Sequence, residues 1–193
     1  MLGRRLWQVI ASSVLYGAFG ASSVQAAAIE APMGPTVPFR VTLEEATWMS
    51  LDVSPDGATL VFDLLGDLYT LPAGGGEATR ITQGPGFDMH PRFSPDGKRI
   101  VFVSDRDGGS QLWTIQPDGS DPRAVTADAN ASFSSPEWMQ DGERIVASRH
   151  DDRQANAAFD LYLLALDGGA ATKLVDKKKD ALGAAVSPEG RWI

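Results

Sequence analysis

"FSPDGKRIVFVSDRDGGSQLWTIQPDGSDPRAVT", Phe93 to Thr126, sets three turn signals between short apolar runs. In "SPDG" the proline presets φ at about −65°, the aspartate can bond its own backbone and the glycine accepts the left-handed conformation. Phe93 then ends one strand and "RIVFVS" returns as the next. "DRDGG" and "PDGS" turn the chain into a third and a fourth strand. The third carries Leu112-Trp113, a pair suited to a half-buried pleated surface.

The pattern recurs. Asp96-Gly97 matches Asp56-Gly57, Asp141-Gly142 and Glu189-Gly190, at spacings of 40, 45 and 48 residues. Leu60-Val61-Phe62, Ile100-Val101-Phe102 and Ile145-Val146-Ala147 follow in register, then Leu68-Tyr69, Leu112-Trp113 and Leu161-Tyr162. Gly74-Gly75, Asp118-Gly119 and Asp167-Gly168 come next, and each copy closes on Arg80-Ile81-Thr82, Ala124-Val125-Thr126 or Lys173-Leu174-Val175. Repeats of roughly 40 to 50 residues with four short strands each are the signature of propeller blades. A single blade has two apolar faces and cannot bury both alone, and radial stacking solves this. The expected fold is therefore all-β: a partial β-propeller over residues 48–193, with blades at about 48–82, 88–126 and 133–175 and a fourth begun over 184–193.

The pitch varies at one place. From the turn glycine to the third-strand leucine the distance is 11 residues in copy one (Gly57 to Leu68), 15 in copy two (Gly97 to Leu112) and 19 in copy three (Gly142 to Leu161). Nearly all the length change falls in the second hairpin loop, and such insertions project from one face, often the binding face. Copy three is also irregular in sequence, with "WMQDG" for "FSPDG" and the polar excursion "RHDDRQANAAFD".

Residues 1–28 pair Arg4 and Arg5 with an uncharged apolar stretch and an alanine-rich end, the pattern of a signal peptide cleaved after Ala26 or Ala28. An uncleaved anchor is the alternative, since Leu6 to Ala28 carries no charge. The expected destination is the periplasm or the exterior, with no membrane span once the leader is gone. Residues 29–47 hold three prolines and read as a linker, with an extended lead-in strand from Phe39. There is no cysteine, so neither disulfides nor a lipid-modified cysteine enter. Losing Arg4 and Arg5 with the leader takes the formal charge from −8 to −10, which argues against nucleic acid as a partner.

"TWMSLDVSPDGATLVFDLLGDLYTLPAGGGEATRIT" and "PRFSPDGKRIVFVSDRDGG" resemble the WD-like repeats of TolB-type and tricorn-type propellers. More narrowly, "TWMSLDVSPDG", "VFDLLGDLYTLP" and "KKDALG" are similar to the N-terminal propeller of exported amidohydrolase-family proteins, where it precedes a metal-dependent hydrolase domain. TolB itself carries an α/β domain ahead of its propeller, where this chain has the short linker. That resemblance implies a non-catalytic module whose partner is either a C-terminal catalytic domain outside these residues or, alternatively, a protein or peptide at the loop face of a stand-alone propeller. The chain breaks off where the second strand of blade four would start, so a fragment of a longer reading frame is expected.

No catalytic, cofactor-binding or metal-binding residue is nominated, and no cofactor is expected. An amidohydrolase centre needs a His-x-His pair with further histidines and an aspartate. The chain has two histidines, His90 and His150, 60 residues apart. There is no Gly-x-Ser-x-Gly elbow either. His90 reads as a loop histidine beside the inner strand. His150 with Asp151 and Asp152 offers metal-ligand types at the start of the longest loop, and a solvated cluster rather than a metal site is expected there. Asp105 and Asp107 lack the later carboxylate of a calcium loop and are read as a hairpin turn.

Overall fold

In the computed structural model of the chain, residues 45–46, 48–154, 157–167, 169–175 and 180–190 are described. The signal peptide and most of the linker read from the sequence lie outside these residues.

Three four-stranded antiparallel sheets follow one another along the chain. The first holds β1 (Leu51–Val53), β2 (Thr59–Leu64), β3 (Asp67–Pro72) and β4 (Thr79–Arg80). The second holds β5 (Asp88–Phe93), β6 (Ile100–Ser104), β7 (Gln111–Ile115) and β8 (Arg123–Ala124). The third holds β9 (Ala131–Trp138), β10 (Arg144–Asp151), β11 (Asp160–Ala165) and β12 (Thr172–Lys173). Within each sheet the strands lie in chain order. First strands touch the first strand of the neighbouring sheet, whereas β4, β8 and β12 touch only their own sheet. The sheets therefore fan out from their first strands, the geometry of propeller blades.

The turns form as their residues dictate. In both SPDG copies the serine hydroxyl donates to the aspartate and the glycine N–H donates to the serine carbonyl at 2.8 Å (Ser54, Asp56, Gly57; Ser94, Asp96, Gly97). Those serine bonds are the main reason the Asp56 and Asp96 carboxyls sit below the ordinary range. In copy three Met139 replaces the serine; Asp141 still caps Glu143 N–H, as Asp56 caps Ala58 N–H and Asp96 caps Lys98 N–H, and it pairs with Arg144. Gly190 N–H donates to Ser187 O at 2.7 Å, so the fourth copy also forms its turn.

Blades are joined by packing and by a repeated hydrogen bond. Val61, Leu68 and Ile81 of blade 1 pack with Phe93, Ile100, Phe102 and Ile115 of blade 2, and Val101, Val103 and Leu112 pack with Phe133, Trp138, Ile145 and Ala147 of blade 3. The last residue before each third strand then accepts from the next blade: Asp88 N–H to Gly66 O at 2.8 Å, Phe133 N–H to Ser110 O at 2.7 Å and Ala181 N–H to Phe159 O at 2.8 Å. Counted from the turn glycine, Asp88, Phe133 and Ala181 hold the same position. Two residues on, His90, Ser135 and Gly183 take φ of 55°, 49° and 70°. In β5 and β9 this is a bulge, marked by register shifts against β6 and β10.

A clasp holds the bulge in two places. Asp63 accepts from Ser50 N–H and from His90 N–H, both at 2.9 Å, and Ser148 Oγ accepts from Gly183 N–H at 3.2 Å. Val103 holds that position in blade 2 and is buried in the apolar cluster instead.

Candidate partner-binding face

The two rims of the fan differ. One carries the turns between first and second strands, which keep one shape in every copy. The other carries the loops between second and third strands, which lengthen from residues 65–66 to 105–110 to 152–159. This second rim also carries the connections between blades, and we call it the loop face.

At the junction of blades 1 and 2, Asp88 is 1% exposed. Arg106 Nη2 lies 2.9 and 2.8 Å from its two oxygens, while Arg106 Nε donates to Ser104 Oγ at 2.9 Å. The guanidinium also stands 5.3 Å from the Phe102 ring centre and 4.8 Å from that of Trp113. A buried carboxylate of this kind is tolerable only with such a partner. Gly86 permits the approach, since a Cβ there would stand 2.9 Å from Arg106 Cβ. Beside the pair, burial raises the Asp67 carboxyl above its ordinary value; Arg80 at 3.3 Å opposes this and nearby Asp88 adds to it. Asp67 Oδ1 is buried without a partner among the described residues.

At the junction of blades 2 and 3 the chemistry is polar. Ser132 Oγ donates to Asp152 Oδ2 at 2.7 Å and His150 Nδ1 lies 3.0 Å from Asp152 Oδ1. The carboxylate stands in the middle, so the imidazole does not meet the hydroxyl and cannot take its proton. This is not the order needed to activate a nucleophile. Arg153 engages Asp151 and holds its carboxyl well below the usual range. Arg149 reaches back to Asp128 at 2.8 Å and lies over Tyr162. Each carboxylate of the His150 cluster is therefore committed to a neighbour. Among the described residues no group of three or more His, Asp or Glu could hold a metal.

His90 lies inside β5, at its bulge, rather than in the loop ahead of it. Burial lowers its pKa; Asp63 opposes that and Arg92 reinforces it. Its Nδ1 is buried without a partner among the described residues. Asp105 caps the loop: Oδ1 accepts from Phe87 N–H at 2.6 Å and its carbonyl from Gly108 N–H at 2.8 Å.

The repeat register also aligns Asp52, Arg92 and Glu137 on the first strands, a row that inspection of single copies misses. Asp52 accepts from Phe93 N–H at 2.7 Å, and Arg92 Nε meets Glu137 Oε2 at 3.2 Å. Burial raises the Glu137 carboxyl, which Arg92 partly offsets. Trp138 Nε1 donates to Arg92 O at 3.0 Å. Each side chain reaches the adjoining blade, so the row ties first strands together.

Four-stranded blades fanning from their first strands define the class of β-propellers. The chain belongs to the family of the tricorn protease N-terminal β-propeller domain, whose model matches residues 49–193. An uncharacterised protein of Agrobacterium fabrum is 31% identical over 131 residues, which is 64% of this chain and 44% of that protein. The Tol-Pal system protein TolB of Bordetella pertussis is 48% identical over 58 residues, 30% of this chain and 13% of that protein. Among solved structures, a TolB-like protein of Agrobacterium tumefaciens superposes with a TM-score of 0.63 at 29% identity, covering 72% of this chain and 53% of that one. TolB from Acinetobacter baumannii gives 0.62 at 22% identity over 74% of this chain and 35% of that one, a likeness of fold. The chain thus spans about half or less of the proteins it matches. Among the described residues, no helix is long and apolar enough to cross a membrane.

Proposed function

We propose that this chain is the propeller module of an exported protein and offers its loop face to a protein or peptide partner. The observation that carries this reading is the asymmetry of the rims. One rim repeats a capped turn of nearly constant length, while the large changes in loop length, from residues 65–66 to 105–110 to 152–159, fall on the other. A scaffold that varies one face and fixes the rest is organised for recognition. The likeness to proteins named for the Tol-Pal system, and the leader read from residues 1–28, support an envelope setting.

The absence of cysteine makes the test clean. Single cysteines carrying a photo-cross-linker are placed at Asp107 and Arg153 on the loop face, and at Lys98 and Gln116 on the opposite rim. In cells of the source organism the first pair forms discrete adducts with a protein and the second pair does not. Adducts from Lys98 and Gln116 alone would place the partner on the wrong face.

The amidohydrolase parentage belongs to the same proposal. Its support is the residue resemblance of "TWMSLDVSPDG", "VFDLLGDLYTLP" and "KKDALG", and the partner would then be a catalytic domain of the same protein. Reading the gene past Ile193 tests it: a His-x-His pair ahead of further histidines supports a hydrolase, and its absence removes that parentage.

A further inference from the structure

The blades act as one another's controls. The residue ten positions before the turn glycine, at the mouth of each junction on the loop face, is Phe87, Ser132 and Asp180 in blades 2, 3 and 4. Ser132 is hydrogen-bonded to Asp152, and Asp180 Oδ1 accepts from Phe159 N–H at 3.0 Å. Only Phe87 is apolar, and it is 52% exposed.

Phe87 is also held in place. Asp105 fixes its N–H, the next amide is bonded to Gly66 O, and its ring lies on Gly66, where a Cβ would stand 3.0 Å from Phe87 Cδ2. Beside it Leu65 is 77% exposed at φ 54°, a conformation that L side chains avoid. Two large apolar side chains are thus presented to solvent, and the ring of Phe87 is held on Gly66. An anchor already fixed in position loses little entropy on binding.

Arg80 is paired with Asp67, and the charge left without an ion pair around Phe87 and Leu65 is negative. Asp105 and Asp107 are exposed on the adjoining loop, and no cation among the described residues pairs with either carboxylate. The cation between them, Arg106, is committed to Asp88. The whole chain carries −8.

Resting on the loop-face reading, we propose that the mouth of the blade 1–blade 2 junction docks an extended peptide segment with large apolar side chains next to lysine or arginine. Phe87 and Leu65 receive the apolar side chains, and Asp105 and Asp107 receive the cations.

The test uses the full chain and three fluorescent peptides, KLKFK, its charge-inverted form ELEFE and its apolar-deleted form KSKSK, read by anisotropy. KLKFK is expected to bind, more weakly as salt rises, and the other two to bind at least about tenfold more weakly. Phe87→Ser, which installs the residue blade 3 uses, is expected to weaken KLKFK about tenfold or more, as loss of a central aromatic anchor does. Asp107→Asn is expected to flatten the salt dependence. Equal binding of KLKFK and ELEFE, or unchanged binding by Phe87→Ser at an unchanged melting temperature, overturns the proposal. So does self-association or binding to anionic vesicles that Phe87→Ser abolishes while KLKFK does not bind. Loss of KLKFK binding on Arg153→Ser but not on Phe87→Ser rejects this site and leaves the loop face standing. Loss on Lys98→Ser alone rejects both.

Discussion

Blades 1 and 2 carry the same apolar face with different burial. In blade 2, Phe93, Ile100, Phe102 and Ile115 are 7%, 0%, 0% and 2% exposed. Their register equivalents in blade 1 are Val53, Leu60, Phe62 and Leu71. Val53 is 45% exposed and the other three are half-buried, with Phe62 stacked on Tyr69 at 5.7 Å. Sequence pattern alone cannot separate the two faces, because the strands alternate identically. What separates them is the neighbour: blade 2 has blade 1 against it, and no described element covers the face of blade 1. A repeat's stability therefore resides largely in its interfaces.

The largest effect should come from this pair. Phe102→Ala is expected to cost about 4 kcal/mol in urea unfolding, and Phe62→Ala about 1–2 kcal/mol, because Phe62 is only partly buried and no described element packs over its face. Equal costs would mean that blade 1 is covered in solution.

Ion pairs divide in the same way. Arg106→Ala leaves the Asp88 carboxylate buried and unpaired and is expected to cost about 3 kcal/mol. Arg80→Ala removes an exposed partner of Asp67 and should cost less than about 1 kcal/mol. Thermal unfolding of the two variants, side by side, checks the order.

The clasp comes next. Asp63→Ala strands the Ser50 and His90 amides at the same junction and is expected to cost about 1–3 kcal/mol. Because blade 2 carries Val103 at that position, Asp63→Val distinguishes a need for hydrogen bonding from a need for volume. Recovery of stability by valine would show that packing suffices.

The smallest effect is one of pH. Burial depresses His90 in the folded chain, so the unfolded chain binds its proton first. Its contribution is complete above its ordinary value of about 6.5 and is lost as pH falls through the folded value. His90→Gly, the residue at this bulge in blade 4, should stay within about 1 kcal/mol of the parent at pH 8. It should lose less stability than the parent between pH 7 and pH 5, measured by urea midpoints.

Much of this was legible in the chain. Turn chemistry fixed at SPDG, the alternating strands and the growing distance from Gly57, Gly97 and Gly142 to the next leucine expose blades, register and the variable rim together. All three are local properties. The Asp88–Arg106 pair was not legible, because Phe133 and Ala181 stand where Asp88 does and give no periodic signal. Nor was the commitment of Asp151 and Asp152, which depends on Arg153 and on Ser132 from another strand. The row of Asp52, Arg92 and Glu137 was available in the register, but its meaning depends on first strands touching each other.

The central claim, that recognition belongs to the loop face, is tested most directly by amide hydrogen exchange of the full chain with and without saturating KLKFK. Protection is expected at residues 65–66, 83–90 and 105–110, with residues 54–58, 94–98 and 139–143 unchanged. Protection confined to those turn segments, with the loop segments exchanging as before, would contradict it.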